Sequence, residues 1–552
     1  MGNQSANNNF ESKNDRPWPN PYLDVAAIVG HTTATSCRLW LRTGRTGNFT
    51  LLYWPLNNTE PFSAEKLAVH FVVDAEKDTT AVVELEGLLP DTVYQYALAD
   101  ADASPAKMIL GHDKACQFQT LPVQDSTFSF AFYSCHNPYK GSLFGLSGTA
   151  QVVNIEMWEY LHAMLRRHQE KQELRFVIAG GDQVYADGVD SLNIWAYLNK
   201  NMRKVHGKLF PDQAAMRSWY RDIYRGYWGF PQVRRVFANF PMYMMWDDHE
   251  LKDGWGSRYL RGRSNRRGDE MKRIFSDYQS KGLNYNDCRT LLARMEAAAK
   301  AVYEEYQHSH NPATDAGVYD YGFRHDRSAF YVLDGRGSRD INRDSHRILG
   351  KPQMARFKSW IDALDSTDTR LLFVTTAVPL LHFKPALVNA DDTWLAQWAE
   401  LEDDLRDAWE HDLHDKERRE LLEILFSAAR RGIGVCILSG DVHTAAAFRM
   451  RDKQSGAVMY QLTSSAITYN IPRALSWVVG GLMPDSGTSD DGYEYERLLR
   501  YTDSNFALIR ADQDNQSVTF QIYGKQTAEH PNRETVLPMT HSLAKLELAF
   551  KK

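Results

Sequence analysis

The sequence predicts an α/β domain of layered β-sheets flanked by helices, preceded by a small all-β domain. Three observations lead to this prediction. Short runs rich in β-branched and aromatic residues fill residues 22–122, apolar runs alternate with helical stretches over residues 127–545, and six of those apolar runs have polar tips. Alternation of strands and helices is typical of layered α/β folds, and 552 residues are enough for two domains.

Composition and charge narrow the class of protein. Hydrophobic residues make up 43% of the chain and charged residues 24%, which is typical of a soluble globular enzyme. The formal net charge of -6 argues against a specific nucleic-acid binder, since such proteins are usually basic. Five cysteines do not make a disulfide framework in so long a chain, and no apolar stretch approaches the roughly 20 residues of a membrane span. The oligomeric state stays open.

Residues 1–21 are polar and lack the apolar core of a secretory signal. Met1 and Gly2 begin the chain as in myristoylated proteins, but Ala6 occupies the position that requires Ser or Thr. We therefore expect a disordered tail on a cytoplasmic protein. An exported protein from which the signal has been removed would look the same, so that alternative stays open.

Residues 22–122 are predicted to form the all-β domain. Runs such as TSCRLWLRT (35–43) and TVYQYALAD (92–100) show the partial alternation of half-buried strands. GLLPDTVYQYAL resembles the corner of an immunoglobulin- or fibronectin-like sandwich, in which an anchored Tyr follows a Leu-x-Pro turn. This domain has no evident chemistry, so we interpret it as a structural or substrate-flanking module that ends in a short linker (121–126).

Residues 127–545 are predicted to form the larger domain. Helical stretches cover 152–170, 291–310 and 395–431, and two strand-like runs around a polar turn over 505–525 predict a closing hairpin. Buried strands of an α/β sheet read as continuous apolar runs, and ligands bind where such strands end. The runs FSFAFYSC, LRFVIAGGD, PMYMMWDDH, AFYVLDGRG, LLFVTTAVP and GVCILSGDVH have tips that include Cys135, Asp182, Asp247, Asp248, His249, Asp334, Arg336, Asp441 and His443.

The side chains at these tips supply oxygen, nitrogen and sulfur donors. In GGDQVY the carboxylate of Asp182 stands three residues from the phenol of Tyr185. In SGDVH, Asp441 and His443 point the same way, because strand residues alternate with a period of two. Such donor sets are typical of two-metal hydrolases and indicate metal-assisted attack on a phosphate ester. The candidate residues are Cys135, Asp182, Tyr185, Asp248, His249, Asp441 and His443.

Each candidate also has a structural interpretation. A lone cysteine such as Cys135 is usually a small buried hydrophobe, and an aspartate after a strand often caps the next helix. Tyr185, His249 and His443 can simply pack in the core. These interpretations do not explain why four strand ends all present ligand types, so a metal centre is the better interpretation.

The order of motifs SC … GDxxY … WDDHE … LDxR … SGDxH resembles the alkaline phosphatase D (PhoD-like) family of the calcineurin-like metallophosphoesterases. The resemblance covers about residues 20–545 and includes a β-sandwich ahead of the catalytic domain. It implies an α/β metallophosphoesterase sandwich that acts as a phosphatase, a phosphodiesterase or both. The ordered combination is specific, although no single motif is.

The resemblance also implies a role for each matching residue. Ferric iron (Fe³⁺) is expected at one site and calcium (Ca²⁺) at the other, with magnesium or manganese as alternatives. The implied ligands are Cys135, Tyr185 and His443 for iron, Asp182 as the bridge, and Asp248 and Asp441 for the second ion. His249 matches the histidine that contacts the phosphate and steadies the leaving group. Arg336 either contacts the phosphate or forms a structural ion pair with Asp334.

Two segments qualify this pattern. The run VTTAVP (374–379) has Ala377 where a histidine ligand is expected, so the second site has one fewer nitrogen ligand. Residues 258–267 contain five arginines. They form either a basic flap over an anionic substrate, since guanidinium groups bind phosphate in a bidentate way, or a solvated charged loop.

We therefore predict hydrolysis of a small phosphate ester by a metal-bound hydroxide. One alternative is a thiol hydrolase with Cys135 as the nucleophile. His136 is badly placed as its base, because adjacent strand residues point to opposite faces. The other alternative is a non-catalytic ligand-sensing protein with a degenerate phosphoesterase domain.

Overall fold

The structure is a computed structural model, and it describes most of the chain. The described residues are 22–56, 67–101, 108–111, 116–140, 151–189, 192–258, 275, 277–344, 346–384, 388–389, 402–469, 483–524 and 544–550. The predicted tail (1–21) lies outside them, as does the predicted arginine-rich segment (258–267) beyond its first residue.

The described residues between 22 and 120 form strands and turns, which confirms the predicted all-β region at the N-terminus. Its strands are β1 (Val25–Thr32), β2 (Ser36–Thr43), β3 (Gly47–Pro55), β4 (Leu67–Val73), β5 (Thr80–Glu86), β6 (Val93–Asp100), β7 (Met108–Leu110) and β8 (Cys116–Gln119). They form one sheet of order β1-β2-β5 and another of order β4-β3-β6-β7, in which β8 also pairs with β6. Alternate residues of both sheets, such as Leu39 and Leu51, share one core.

Strands alternate with helices from residue 127 on. The strands are β9 (Thr127–Tyr133), β10 (Tyr139–Lys140), β11 (Gln151–Val152), β12 (Leu174–Gly180), β13 (Arg203–Val205), β14 (Lys208–Phe210), β15 (Met242–Met245), β16 (Tyr321–His325), β17 (Ser328–Val332), β18 (Leu371–Thr376), β19 (Gly434–Ser439), β20 (Ala445–Asp452), β21 (Val458–Thr463), β22 (Ser486–Thr488), β23 (Tyr493–Tyr501), β24 (Asn505–Asp512), β25 (Ser517–Gly524) and β26 (Ala544–Ala549). The predicted closing hairpin is confirmed, because β24 and β25 pair antiparallel.

The helices only partly match the predicted stretches. They are α1 (Met157–Glu170), α2 (Ile194–Asn201), α3 (Gln213–Tyr227), α4 (Pro231–Phe237), α5 (Tyr285–Tyr306), α6 (Gly350–Asp362), α7 (Glu402–Asp407) and α8 (Asp415–Arg430). Helix α5 starts earlier than predicted, because Asn284 and Asp287 form a capping box. The helical stretch predicted over 395–431 is interrupted in its described part, where the His411 ring accepts the N–H of Leu413 and separates α7 from α8.

Two sheets share the main core of this part. One has the order β15-β12-β9-β24-β25-β26, and the other has the order β16-β17-β18-β19-β21-β20-β23-β22. Phe130 and Ile178 of the first sheet pack with Phe330 and Phe373 of the second. Their neighbours along each strand face the other way and pack against helices, so central strands are buried on both faces. Such strands read as continuous apolar runs, as the sequence shows.

None of the helices in the described ranges is long and apolar enough to cross a membrane. The expected cytoplasmic location stays a prediction.

Candidate metal centre

The strand ends of the two sheets meet at one edge. Strands β9, β12 and β15 are parallel neighbours, so the residues that follow them come together. Strands β18 and β19 of the other sheet end beside them, where the N–H of Gly440 donates to the carbonyl of Ala377 (2.8 Å). A Cβ on Gly440 would lie 2.5 Å from the Cβ of Ser134, so the two sheets touch at this edge. The ligand-type residues of both sheets therefore share one site.

Four of the candidate ligands have left-handed backbone conformations. Their φ angles are 56° at Cys135, 55° at Asp182, 63° at Asp441 and 51° at His443. This conformation costs a non-glycine residue roughly 1–2 kcal/mol. Backbone strain that the surrounding structure maintains is concentrated at functional sites. The strained residues and the sequence motifs therefore indicate the same edge of the sheets as the functional site.

Four carboxylates form the centre of the site. An oxygen atom from each of Asp182, Asp247, Asp248 and Asp441 lies within 4.8 Å of the others. Burial and the neighbouring carboxylates raise the pKa of Asp182 and Asp441 well above the usual value. Burial raises the pKa of Asp247 to about 6 even though Arg336 acts in the opposite direction. The fully ionised form of this cluster is therefore disfavoured unless a cation or protons neutralise it.

The cluster has the chemistry of a cation site. Asp182 Oδ1, Asp247 Oδ2 and Asp248 Oδ1 are buried without a hydrogen-bond partner among the described residues. A buried carboxylate without a partner costs free energy unless a proton or a cation neutralises it. Hard oxygen donors suit calcium, magnesium and manganese. The residues present therefore fit the cations that the resemblance implies.

Tyr185 and Cys135 both contact Asp182. The hydroxyl of Tyr185 donates to Oδ2 of Asp182 (3.2 Å), and the sulfur of Cys135 lies 3.4 Å from the same oxygen. Burial and the Asp182 carboxylate raise the pKa of the thiol and of the phenol well above their usual values. A highly charged cation at this place would favour the thiolate and phenolate forms, which are the forms that bind metals.

His443 lies beside the carboxylate cluster. Its ring stacks on Tyr469, with 3.9 Å between centroids and 18° between planes, and its backbone N–H donates to the hydroxyl of Ser465 (3.1 Å). Burial lowers its pKa to about 3, so the ring is neutral, the form that binds metals. The Nδ1 atom has no partner among the described residues. The ring nitrogens of His443 are not among the ligand atoms that lie within 4.8 Å of one another in this cluster.

His249 borders the cluster as a cation. Its Nδ1 donates to Oδ1 of Asp187 (2.8 Å). Burial alone would lower the pKa of His249, but the carboxylates of Asp187 and Asp248 more than offset this and raise it well above its usual value. The ring stacks on Tyr185 at 3.9 Å, and a ring nitrogen lies within 4.8 Å of oxygens of Asp182 and Asp248. An anionic group bound at the cluster can therefore reach a protonated imidazole.

Arg336 is fully buried and pairs with three carboxylates, of which Asp248 is the most distant (Nη2 to Oδ1, 3.5 Å). Its Nε donates to Asp247, and its Nη1 and Nη2 donate to the two oxygens of Asp407 (2.7 and 2.6 Å). Asp334, the partner in one of the two alternatives from the sequence, instead accepts the backbone N–H groups of Arg336 (3.0 Å) and Gly337 (2.8 Å) in the strand-end turn. Of the two interpretations from the sequence, the geometry favours a structural ion pair, with different partners.

His136 does not act on Cys135 in this structure. The indole N–H of Trp158 donates to Nδ1 of His136 (3.1 Å), and Nε2 contacts the carbonyl of Tyr227 (3.1 Å). Burial lowers the pKa of His136 to about 4. Both ring nitrogens are engaged elsewhere, so the thiol hydrolase loses its base.

Sequence reasoning missed three carboxylates of this region. Asp247 stands in the WDDHE motif, but the resemblance implies only Asp248 as a ligand. Asp187 lies two residues after Tyr185 and is 62 positions from its partner His249, so only the fold reveals the contact. Asp407 lies at the end of α7 and has no sequence signal at all.

The arginine-rich segment is described only at Arg258. Its Nη2 donates to Oδ2 of Asp253 (2.7 Å), and the N–H of Asp253 donates to Asp187 (2.8 Å). Arg258 is therefore connected to the loop that contains the partner of His249. The choice between a flap and a solvated loop stays open, because the other four arginines lie outside the described residues.

One protein-family model matches most of the chain. The family model described as PhoD-like phosphatase matches residues 130–520. The chain belongs to the PhoD-like phosphatase family.

Individual relatives are distant. The uncharacterized protein YGR266W of Saccharomyces cerevisiae is 22% identical in an alignment 401 positions long, which covers 58% of this chain and 50% of that protein. The chain thus spans half the length of this curated relative. A solved structure of PhoD has a TM-score of 0.58 at 15% identity and covers 90% of this chain and 85% of its own, which shows a shared fold. Purple acid phosphatase PPD1 from yellow lupin (Lupinus luteus) aligns with a TM-score of 0.49 at 12% identity, over 92% and 72% of the two chains.

Proposed function

We propose that this protein hydrolyses phosphate monoesters, diesters or both at a two-cation centre. The observation that carries the proposal is the cluster of four carboxylates, three of whose buried oxygens have no hydrogen-bond partner among the described residues. A protonated histidine borders that cluster. Membership of the PhoD-like phosphatase family supports the same reaction class. The proposed substrate is a small phosphate ester, and specific nucleic-acid binding is not expected.

The proposed cations are ferric iron and calcium, with magnesium or manganese as alternatives at the second site. We assign Cys135, Tyr185 and His443 to iron, Asp182 to the bridge, and Asp248 and Asp441 to the second ion. Asp247 adds one oxygen to this group, since its other oxygen accepts a hydrogen bond from Arg336. When bound, such cations supply Lewis acidity, which makes water a nucleophile near neutral pH and offsets charge on the phosphate oxygens.

His249 is the proposed general acid. Asp187 keeps its ring protonated and oriented through Nδ1, so the other ring nitrogen can donate a proton to the departing ester oxygen. The stacked ring of Tyr185 limits rotation of the imidazole. Arg336 remains a proposed contributor to the site, and its contacts support the positioning of Asp247 and Asp248, because its donors already face carboxylates.

The finer description of the fold belongs to the same proposal. We propose a tail over 1–21, an immunoglobulin- or fibronectin-like domain over 22–122, and a metallophosphoesterase sandwich over 127–545 whose two sheets are flanked by helices. The shared core of the two sheets and the helices packed on their outer faces support this arrangement.

Metal analysis combined with turnover of p-nitrophenyl phosphate and bis(p-nitrophenyl) phosphate tests the proposal. We expect iron and a second cation near one equivalent each, a visible tyrosinate-to-iron absorption band, and turnover of at least one ester. A metal-free protein that is inert on both esters would contradict the proposal and favour the ligand sensor. One observation favours that sensor: Ala377, at the place of the expected ligand, would lie 3.5 Å from a Cβ on Gly181 and offers no donor.

Substitution of His249 separates catalysis from metal binding. His249→Ala is expected to keep both metals and to lower kcat by about 10²-fold or more, as for loss of a general acid. Asp187→Asn is expected to give a smaller loss and to move the basic limb of the pH profile, because the imidazolium loses its counter-ion. Equal loss of metal and of kcat in His249→Ala would mean that His249 is a ligand instead.

A further inference from the structure

One buried carboxylate of the region is not a candidate ligand. Glu250 ends the short 3₁₀ helix Asp248–Glu250 and is only 1% exposed. Its Oε1 accepts the backbone N–H of Gln183 (2.7 Å) and the side-chain amide of Gln307 (2.9 Å). Its Oε2 accepts the backbone N–H groups of Asp247 (2.9 Å) and Asp182 (3.2 Å). Unlike the carboxylates of the cluster, Glu250 has both oxygens engaged by protein N–H groups.

These contacts join two separate loops. Asp182 and Gln183 follow β12, and Asp247 follows β15, so one carboxylate fixes the spacing of two loops that carry proposed ligands. The loops also touch directly. A Cβ on Gly181, whose φ is 101°, would lie 2.8 Å from the Cβ of Asp247, so the chain needs glycine at this place.

Gln307 fixes Glu250 from the end of helix α5. It is fully buried, and its amide nitrogen also donates to the hydroxyl of Tyr224 (2.9 Å). The preceding residue, Tyr306, donates its hydroxyl to Asp78 of the N-terminal β region, and the guanidinium of Arg225 pairs with the same carboxylate. The β region, which showed no chemistry in the sequence, therefore anchors the helix end that fixes Glu250.

We propose that Glu250 and Gln307 are positioning residues that set the spacing of the two ligand-bearing loops, and that the N-terminal β region stabilises this pair through Asp78. The inference rests on the metal-dependent hydrolysis proposed above. Groups that orient metal ligands without touching the metal typically change metal affinity by about 10–100-fold when they are removed.

Two variants test the pair. Gln307→Leu removes the two donated hydrogen bonds and little else, because Oε1 of Gln307 has no partner among the described residues. Glu250→Gln places an amide NH₂ against backbone N–H groups and leaves one oxygen to accept for both loops. In each variant, the protein is purified, depleted of the second cation with a Ca²⁺-selective chelator that leaves iron in place, and titrated with Ca²⁺ by calorimetry.

Gln513→Leu is the matched control. Gln513 is also a fully buried glutamine that connects two segments, since it donates to the carbonyl of Asp125 and accepts from Ser328 (3.0 Å). It follows β24 at the opposite edge of the sheets, where β9 and β17 begin. A general effect of losing a buried glutamine would therefore appear in this variant too, whereas an effect on the ligand-bearing loops would not.

We expect the Kd for Ca²⁺ to rise about 10–100-fold in both test variants, with turnover of p-nitrophenyl phosphate restored at saturating Ca²⁺. The control is expected to keep the wild-type Kd. An unchanged Kd in Gln307→Leu, or an equal rise in Gln513→Leu, would overturn the inference, even if Glu250→Gln fails to fold. A wild-type protein that neither binds Ca²⁺ nor turns over an ester would instead overturn the proposed function itself.

Discussion

Two groups of buried carboxylates lie side by side in this protein and are neutralised in different ways. Asp407 pairs with Arg336 and Arg339. Burial alone would raise the pKa of Asp407, but the two guanidinium groups more than offset this and hold it below its usual value. Asp182 and Asp441 have no Arg or Lys partner in the part of the chain that the structure describes, and their pKa values are raised. The protein supplies its own cations in one group, and we propose that a cation from solution neutralises the other.

Asp247 connects the two groups. It accepts a hydrogen bond from Nε of Arg336 through Oδ1, while Oδ2 faces the cluster without a partner among the described residues. A guanidinium with fixed geometry keeps the strand end in place. The neighbouring carboxylates stay available to bind. In this motif Arg336 holds Asp247 in place, and we propose that the adjacent Asp248 binds the cation.

Asp182→Ala is expected to have the largest effect, because Asp182 is central to the group without fixed cations. Metal content should fall to background, and turnover of the ester should fall by at least about 10³-fold, which is ~4 kcal/mol. Elemental analysis and steady-state kinetics measure both. Activity that survives this change would contradict the proposed function, since the cluster would then not be the reactive centre.

Arg336→Met is expected to lower the free energy of unfolding by about 3–4 kcal/mol, because the neutralised carboxylates Asp407 and Asp247 would lose a buried counter-ion. Urea unfolding of the metal-depleted protein measures the change in the free energy of unfolding. Arg343→Met is a suitable control, since Arg343 pairs with Asp340 at the surface, where such pairs contribute little. A loss below ~1 kcal/mol in Arg336→Met would show that the neutralised group does not stabilise the fold.

Paired Asp→Asn substitutions should change stability in opposite directions. In the metal-depleted protein, Asp441→Asn should raise the free energy of unfolding by about 1 kcal/mol, because it relieves repulsion between like charges. Asp407→Asn should lower it by about 2–3 kcal/mol, because two buried guanidinium groups lose their counter-ion. Both variants are compared by thermal and urea unfolding in chelator. Changes of the same sign would contradict the distinction between the two groups.

Asp125→Asn tests a third neutralised carboxylate, at the opposite edge of the sheets, and should have the smallest effect. Nε of Arg175 (2.5 Å) and Nε2 of His325 (2.7 Å) bind Asp125, and although burial alone would raise its pKa, they hold it below its usual value. A lowered folded-state pKa contributes stability above the unfolded value, and that stability is lost as the pH falls below it. The variant should be less stable by about 1–2 kcal/mol at pH 7, with a difference that shrinks below about pH 4. Urea unfolding at both pH values measures this, and a constant difference would contradict it.

The sequence predicted much of the fold and of the candidate site. The apolar runs before Cys135, Asp182 and Asp247 are buried strands, and these parallel neighbours, β9, β12 and β15, bring their ends together. Residues that follow parallel strands share an edge whatever the details of packing. The position of these residues of the first sheet therefore required only strand order, whereas Asp441 and His443 reach the site through contact between the two sheets.

Contacts between loops were not predictable in the same way. The sequence suggested Asp334 as the partner of Arg336, but the side chain reaches Asp247 and Asp407, 89 and 71 positions away. Local spacing cannot rank such distant partners. His136 has partners away from Cys135, as expected, but both residues lie after the end of β9, so strand alternation is not the reason.

The sequence by itself determined which chemical groups stand at the strand ends and the reaction class that they suggest, because strand polarity and side-chain alternation are local properties of the backbone. Only the tertiary structure decided which carboxylates keep a fixed counter-ion, that Asp187 pairs with His249, and that Glu250 joins two loops. These outcomes depend on side chains far apart in sequence that meet in a low-dielectric interior, where a single contact determines whether a charge is compensated.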